Sequence, residues 1–169
     1  MTIESHSDTD FVLRSPSLAS GEMVPDDFIF NGMGCKGGNL SPELEWDGAP
    51  AGTRSFALTV FDPDAPSDNG WRHWTVVNIP ENVHRLEEGA STKERLPSEA
   101  IEVENDFGEI HYGGPCPPKG DSPHRYVFTL YALDSEKLNV DQDTDRVSLE
   151  TSLQNHAIGK ATFTVRYAH

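Results

Sequence analysis

The chain has 169 residues and 36% hydrophobic content, enough for one well-formed core and short for two, so a single domain is expected. Its formal net charge is -15, from 28 acidic and 13 basic residues, which sets nucleic acid aside as a partner because phosphate backbones demand the opposite sign. No apolar run approaches bilayer length, and the start MTIESHSDTD is acidic where a secretory signal is basic, so a cytoplasmic protein without membrane insertion is expected.

The acidity is spread along the chain, and two readings stay open: adaptation to high salt, or simply an acidic soluble protein. Residues 1–10, rich in Ser, Thr and Asp, read as a disordered leader, with one domain over residues 11–169. Cys35 and Cys116 are the only cysteines, both in glycine-rich loops. A disulfide is geometrically possible, but for a cytoplasmic chain two free thiols are expected, and two cysteines alone cannot make a four-ligand zinc site.

Ser55 to Phe61, SFALTVF, puts Phe56, Leu58 and Val60 on one face, the period of a strand. The FDPDAP stretch then places Asp62 and Asp64 two apart, with Cβ atoms about 7 Å apart on one strand face. Pro63 between them cannot donate to a sheet ladder, so they sit at a strand end or edge. WTVVNI, Trp74 to Ile79, is apolar on both faces, as in a strand buried on both sides. If these two strands pair as an antiparallel hairpin, His73 lies beside both aspartates. Such a site can hold a cation or accept hydrogen bonds from a protonated ligand; at about 4 Å and an effective dielectric of about 20 each pair is worth on the order of 4 kcal/mol before desolvation. The residue types alone equally describe a turn whose carboxylates cap backbone amides.

From Tyr112 to Tyr126, YGGPCPPKGDSPHRY holds three glycines and four prolines, which form a stiff loop that a ligand can approach closely. His124 and Tyr126 face one side of the strand that follows, RYVFTLYAL, and Arg125 faces the other. A pocket forms if this strand runs parallel to the one from His73, because both then start at the same rim. Between Asp145 and Ile158, Leu149, Leu153 and Ala157 recur every four residues, the cluster Asp143, Thr144, Asp145 can cap a helix, and Gly159 can end it. ATFTVRY, Ala161 to Tyr167, supplies a last strand. The expected fold is mainly β, an antiparallel sandwich with one or two peripheral helices.

Taken together, FNGMGCKGGNLSPELEWDGAPAGTRSFALTVFDPDAP, GWRHWTVVNIP, GGPCPPKG and HRYVFTLYAL resemble the phosphatidylethanolamine-binding protein family, in particular its bacterial and archaeal Raf kinase inhibitor-like branch. The resemblance runs from about Leu18 to the C-terminus. It implies a sandwich of two antiparallel sheets with a small pocket for phosphate-like anions and phosphorylated head groups. Matched by position, that pocket falls on Asp62, Asp64, Pro66, His73, Pro118, His124 and Tyr126, with Trp71 at the wall. It also implies a cis peptide near the DPDAP turn, for which Ala65-Pro66 is the candidate. No catalytic residue, metal or cofactor is assigned. Two aspartates line an anion site poorly, and a zwitterionic phosphoethanolamine head resolves this, with its ammonium toward the carboxylates and its phosphate toward His73 and His124.

The leading expectation is a non-enzymatic binding module for a small anionic or phosphorylated ligand. A protein inhibitor of a kinase or protease acting through surface loops is the alternative, although the chain ends on a strand where animal members carry a regulatory helix. A weak hydrolase or metal enzyme built on the two Asp and two His is a third, without a nucleophile motif to support it. Branch relatives suggest a homodimer. His156 is assigned to packing or capping near Gly159, while His6, His84, His111 and His169 are assigned nothing, and Glu87 and Glu88 form a solvated turn.

Overall fold

The computed structural model describes residues 10–169. Among these are eight strands and one α-helix: β1 (Val12–Arg14), β2 (Leu44–Asp47), β3 (Ser55–Asp62), β4 (Trp71–Pro80), β5 (Arg85–Leu86), β6 (Ile101–Glu102), β7 (His124–Leu133), α1 (Arg146–His156) and β8 (Ala157–Tyr167), with a 3-10 turn at Asp26–Phe28. The leader expected over residues 1–10 falls outside the described residues except for Asp10.

The strands form two sheets, one of order β1-β2-β5 and one of order β6-β4-β3-β7-β8, and every paired strand is antiparallel to its neighbour. The expected mainly-β sandwich is the observed fold. Phe56, Leu58 and Val60 of β3 join Trp74 and Val76 of β4 and Phe128 and Leu130 of β7 in the main core, which also takes Leu13, Leu44 and Trp46 from the small sheet. Burying one large apolar side chain of this kind contributes about 1.5–3 kcal/mol. The other face of the large sheet is covered as well. Ala57 and Val77 pack there with Leu149 and Leu153 of α1, which is why the β4 sequence is apolar on both faces.

The helix begins at Arg146 as the capping cluster suggests, yet Asp145 makes no side-chain cap and Gly159 does not end it. The chain passes from His156 directly into β8, whose pairing of Ala157 with Leu133 and Gly159 with Ala132 takes over where helix would otherwise continue. His156 bonds Asp134 through Nδ1 at 2.9 Å and has no contact with the cavity described below. Two expectations are corrected. Cys35 and Cys116 are joined in a disulfide rather than free, their Cα atoms 6.0 Å apart. The loops from Phe30 and to Cys116 run side by side, Phe30 N–H donating to the Pro115 carbonyl at 3.0 Å, and this brings the two sulfurs together whatever the compartment. The Ala65-Pro66 bond is trans, as are all described peptides.

Candidate ligand-binding site

β3 lies between β4 and β7 and is antiparallel to both, so β4 and β7 run parallel to each other and start at one rim. That topology brings the two loops together. The end of β3 gives Asp62, the start of β4 gives Trp71 and His73, and the start of β7 gives His124 and Tyr126. Between them lies a cavity of about 150 Å³ lined by these five residues with Met33, Ala65, Pro66, Phe107, Cys116, Pro117 and Pro118. Drug-sized sites run to about 300–1,000 Å³, so this one suits a head group and not a whole lipid.

Its polar base is a linked set. Asp62 and His124 are both buried and meet at 2.7 Å through His124 Nδ1. The second ring nitrogen of His124, Nε2, bonds Asp121 at 3.0 Å. Burial works against charging His124, but the hydrogen bonds to Asp62 and then Asp121 outweigh it, so its pKa lies above that of an ordinary histidine. The imidazolium therefore offsets the Asp62 charge inside the cavity, although the whole chain is strongly acidic.

His73 behaves differently. Its Nδ1–H donates to the Gly113 carbonyl at 2.7 Å, which fixes the neutral tautomer and leaves the lone pair on Nε2. Burial is the chief cause of its lowered pKa, so it stays a neutral acceptor at physiological pH. Two further groups lack any protein partner: the Tyr126 hydroxyl and the Trp71 indole N–H are buried and unbonded. Burial also raises the Tyr126 pKa, keeping the hydroxyl a donor.

Not every expected residue joins. Pro66 and Pro118 line the cavity, but Asp64 does not. Asp62 Oδ1 accepts the Asp64 N–H at 2.8 Å, so the chain turns at Pro63 and the two carboxylates diverge. Arg125, on the outer face of β7, then holds both Asp64 oxygens at 2.9 and 3.0 Å. Its hydrogen bond draws the Asp64 pKa down to about 2.

Several members went unseen in the sequence. Phe107 closes one wall, its ring edge-on to His73 and Trp71 and stacked on Phe30 at 4.2 Å. Asn105 positions it: the side-chain oxygen accepts the Phe107 and Glu109 N–H groups at 3.0 Å, and the amide donates to the His111 carbonyl at 2.7 Å. The only available signal was the turn-forming quartet Asn105, Asp106, Phe107, Gly108, which carries no ligand chemistry of its own. The glycines of the proline loop have a packing role. A Cβ at Gly113 would strike the Phe107 ring, and one at Gly114 would strike the Phe28 carbonyl.

Comparison with known proteins places this geometry. A sequence profile described as phosphatidylethanolamine-binding protein matches residues 14–168. Escherichia coli YbcL is 45% identical over 159 residues, covering 93% of this chain and 87% of that protein. YbhB from the same organism is 41% identical over 157 residues, covering 92% and 99%. The crystal structure of YbcL, described as a new member of the mammalian PEBP family, superposes with a TM-score of 0.92 at 44% identity, covering 95% of this chain and 99% of that one. A carboxypeptidase Y inhibitor solved with its cognate proteinase shares the fold more distantly, with a TM-score of 0.50 at 22% identity, covering 94% of this chain and 82% of that one. The chain belongs to the phosphatidylethanolamine-binding protein family.

Proposed function

We propose that the cavity binds the phosphate of a small phosphorylated head group or a free phosphate-like anion, and that the chain is a binding module and not a catalyst. One observation carries this: Tyr126 and Trp71 line the cavity, and the hydroxyl of one and the indole N–H of the other are buried without an acceptor. An unmade buried hydrogen bond costs about 1–3 kcal/mol, which ligand oxygens would recover. His124, held charged between Asp62 and Asp121, keeps Asp62 from presenting an unpaired negative charge to the anion, and the His73 Nε2 lone pair accepts the proton of a P–OH group. For a zwitterionic head, Asp62 is the carboxylate that faces the ammonium, since Asp64 is committed to Arg125.

The catalytic alternative lacks a nucleophile paired with a base among the described residues. Both His124 nitrogens meet carboxylates and His73 meets a carbonyl, so among the described residues neither is bonded to a hydroxyl or thiol as base to nucleophile. Inhibition of a kinase or protease through surface loops is a second reading, favoured only by the fold shared with the carboxypeptidase Y inhibitor. Asp62→Asn together with His124→Gln would abolish ligand binding and leave loop-borne inhibition intact. A homodimer and a cytoplasmic location are further proposals; among the described residues no helix is long and apolar enough to cross a membrane.

Because the site takes the protonated form, affinity for a phosphomonoester head group such as phosphoethanolamine should fall as pH rises from 5 to 8, approaching tenfold per unit above its second pKa of ~6. Isothermal titration across that range tests the reading. Affinity that is flat or rising rejects it.

A further inference from the structure

We propose that, once the disulfide opens, Cys35, Cys116 and His169 form a three-ligand site for a thiophilic cation of the Zn²⁺ type. The Cys35 sulfur already lies 3.7 Å from His169 Nδ1, and the three ligand atoms all fall within 4.8 Å of one another. Zinc takes thiolate at about 2.3 Å and imidazole at about 2.0–2.1 Å in tetrahedral geometry, which requires a sulfur–nitrogen separation of roughly 3.6 Å and a sulfur–sulfur separation of roughly 3.8 Å. The Cys35–His169 spacing therefore meets the requirement as it stands. The third ligand atom, the Cys116 sulfur, lies within 4.8 Å of both others, and the two sulfurs move apart once the bond between them is broken.

The surrounding backbone keeps them from parting further. Phe30 N–H donates to Pro115 at 3.0 Å and Gly114 N–H to the Asn39 side chain at 2.7 Å. The two cysteine loops thus remain stitched together by bonds that do not involve sulfur. His169 lies two residues past Tyr167, which pairs with His124 in the β7–β8 register, so the last strand delivers the imidazole. Its ring carbon Cε1 lies 3.7 Å from where a Cβ at Gly34 would be, in contact with the cysteine loop.

Opening the bond takes two electrons and two protons. A dithiol reductant supplies both, becoming a disulfide as Cys35 and Cys116 become thiols. Zinc then displaces both thiol protons and binds two thiolates and neutral imidazole, with the fourth position open. Disulfide and metal are mutually exclusive, so the site is filled only in a reducing compartment. Cys116 lines the ligand cavity, and the ion would sit in the cavity wall.

Cobalt(II) titration of the full chain tests this under anaerobic conditions, before and after reduction with a phosphine. The expected result is a near-ultraviolet thiolate-to-cobalt charge-transfer band that saturates at one equivalent, appears only after reduction and is bleached by zinc. His169→Ala should weaken cobalt binding at least tenfold, and the Cys35→Ser, Cys116→Ser double variant should abolish the band. The proposal is overturned if reduced protein gives no such band, if oxidised protein gives the same one, or if His169→Ala weakens binding less than tenfold. Near-ultraviolet circular dichroism covers the remaining case. A reduced chain that unfolds and is not restored by one equivalent of zinc also overturns it.

Discussion

Asp62→Asn removes the charge that faces His124 while keeping the side chain's shape. Asp62 and His124 side chains are 4% and 5% exposed and bonded at 2.7 Å. Asp62 uses both oxygens, Oδ1 for the Asp64 N–H and Oδ2 for His124. Asparagine has one carbonyl oxygen, so one of those bonds is lost. Removing one partner of a buried pair costs about 3–5 kcal/mol, and the amide recovers about 1 kcal/mol as a neutral hydrogen bond. The expected penalty is therefore about 3 kcal/mol, or a Tm lowered by roughly 6–12 °C for a chain of this size. The penalty follows the charge on His124. Its folded-state pKa is raised above the unfolded value of about 6.5, so the pair's contribution is fully present below that pH and is lost as pH rises through the folded pKa. Guanidinium denaturation of both proteins at pH 5.5 and pH 9 should show a gap near 3 kcal/mol at the lower pH and a gap at least ~1 kcal/mol smaller at the higher. An equal gap at both values, or one under ~0.5 kcal/mol at pH 5.5, refutes the reasoning.

Tyr126→Phe should separate binding from folding. The hydroxyl has no protein partner, so thermal stability should be unchanged or slightly higher, while phosphate affinity drops about 5- to 15-fold for one lost bond of ~1–1.5 kcal/mol; a large loss of Tm would show that the hydroxyl is bonded within the protein. His73 has a lowered pKa from burial, so acid protonates the unfolded chain near pH 6.5 before the folded one and stability falls with pH there. His73→Gln should lose about 1–2 kcal/mol less than the parent between pH 6.5 and pH 5 in urea unfolding, and parallel curves would contradict the buried, neutral assignment. The Cys35–Cys116 bond spans 81 residues, so a Cys35→Ala, Cys116→Ala double variant should lose about 4.5 kcal/mol by chain entropy. A loss under ~1 kcal/mol would mean that the bond does not hold the chain in solution.

The parts of this fold legible in the sequence are those with enough length to show a period. The alternation of Phe56, Leu58 and Val60 marked β3, and the doubly apolar β4 announced a sheet covered on both sides. β1, β5 and β6 have three residues or fewer, too few for any period to show. The antiparallel β3–β4 hairpin brings Asp62 to His73, and parallel β4 and β7 add His124 and Tyr126. Asp64 misled because strand periodicity applies only within a strand, and the chain turns at Pro63 as Asp62 caps the Asp64 amide. Asp121 and Phe107 stayed hidden because their contacts depend on how loops fold back, which no local pattern records. The disulfide is not legible for another reason: compartment does not decide the pairing, which follows from two loops running side by side.

The claim that the cavity takes a phosphate oxygen is tested most directly on the three tryptophan indoles. Trp74 donates to Glu102 at 2.7 Å, the unbonded Trp46 N–H is buried in the core away from the cavity, and Trp71, also unbonded at its N–H, is the tryptophan that lines the cavity. Titration of ¹⁵N-labelled protein with phosphoethanolamine should shift the Trp71 indole resonance downfield and slow its hydrogen exchange, leaving Trp46 and Trp74 in place. Saturating phosphoethanolamine with no movement of the Trp71 signal, or equal movement of all three, would contradict the assignment.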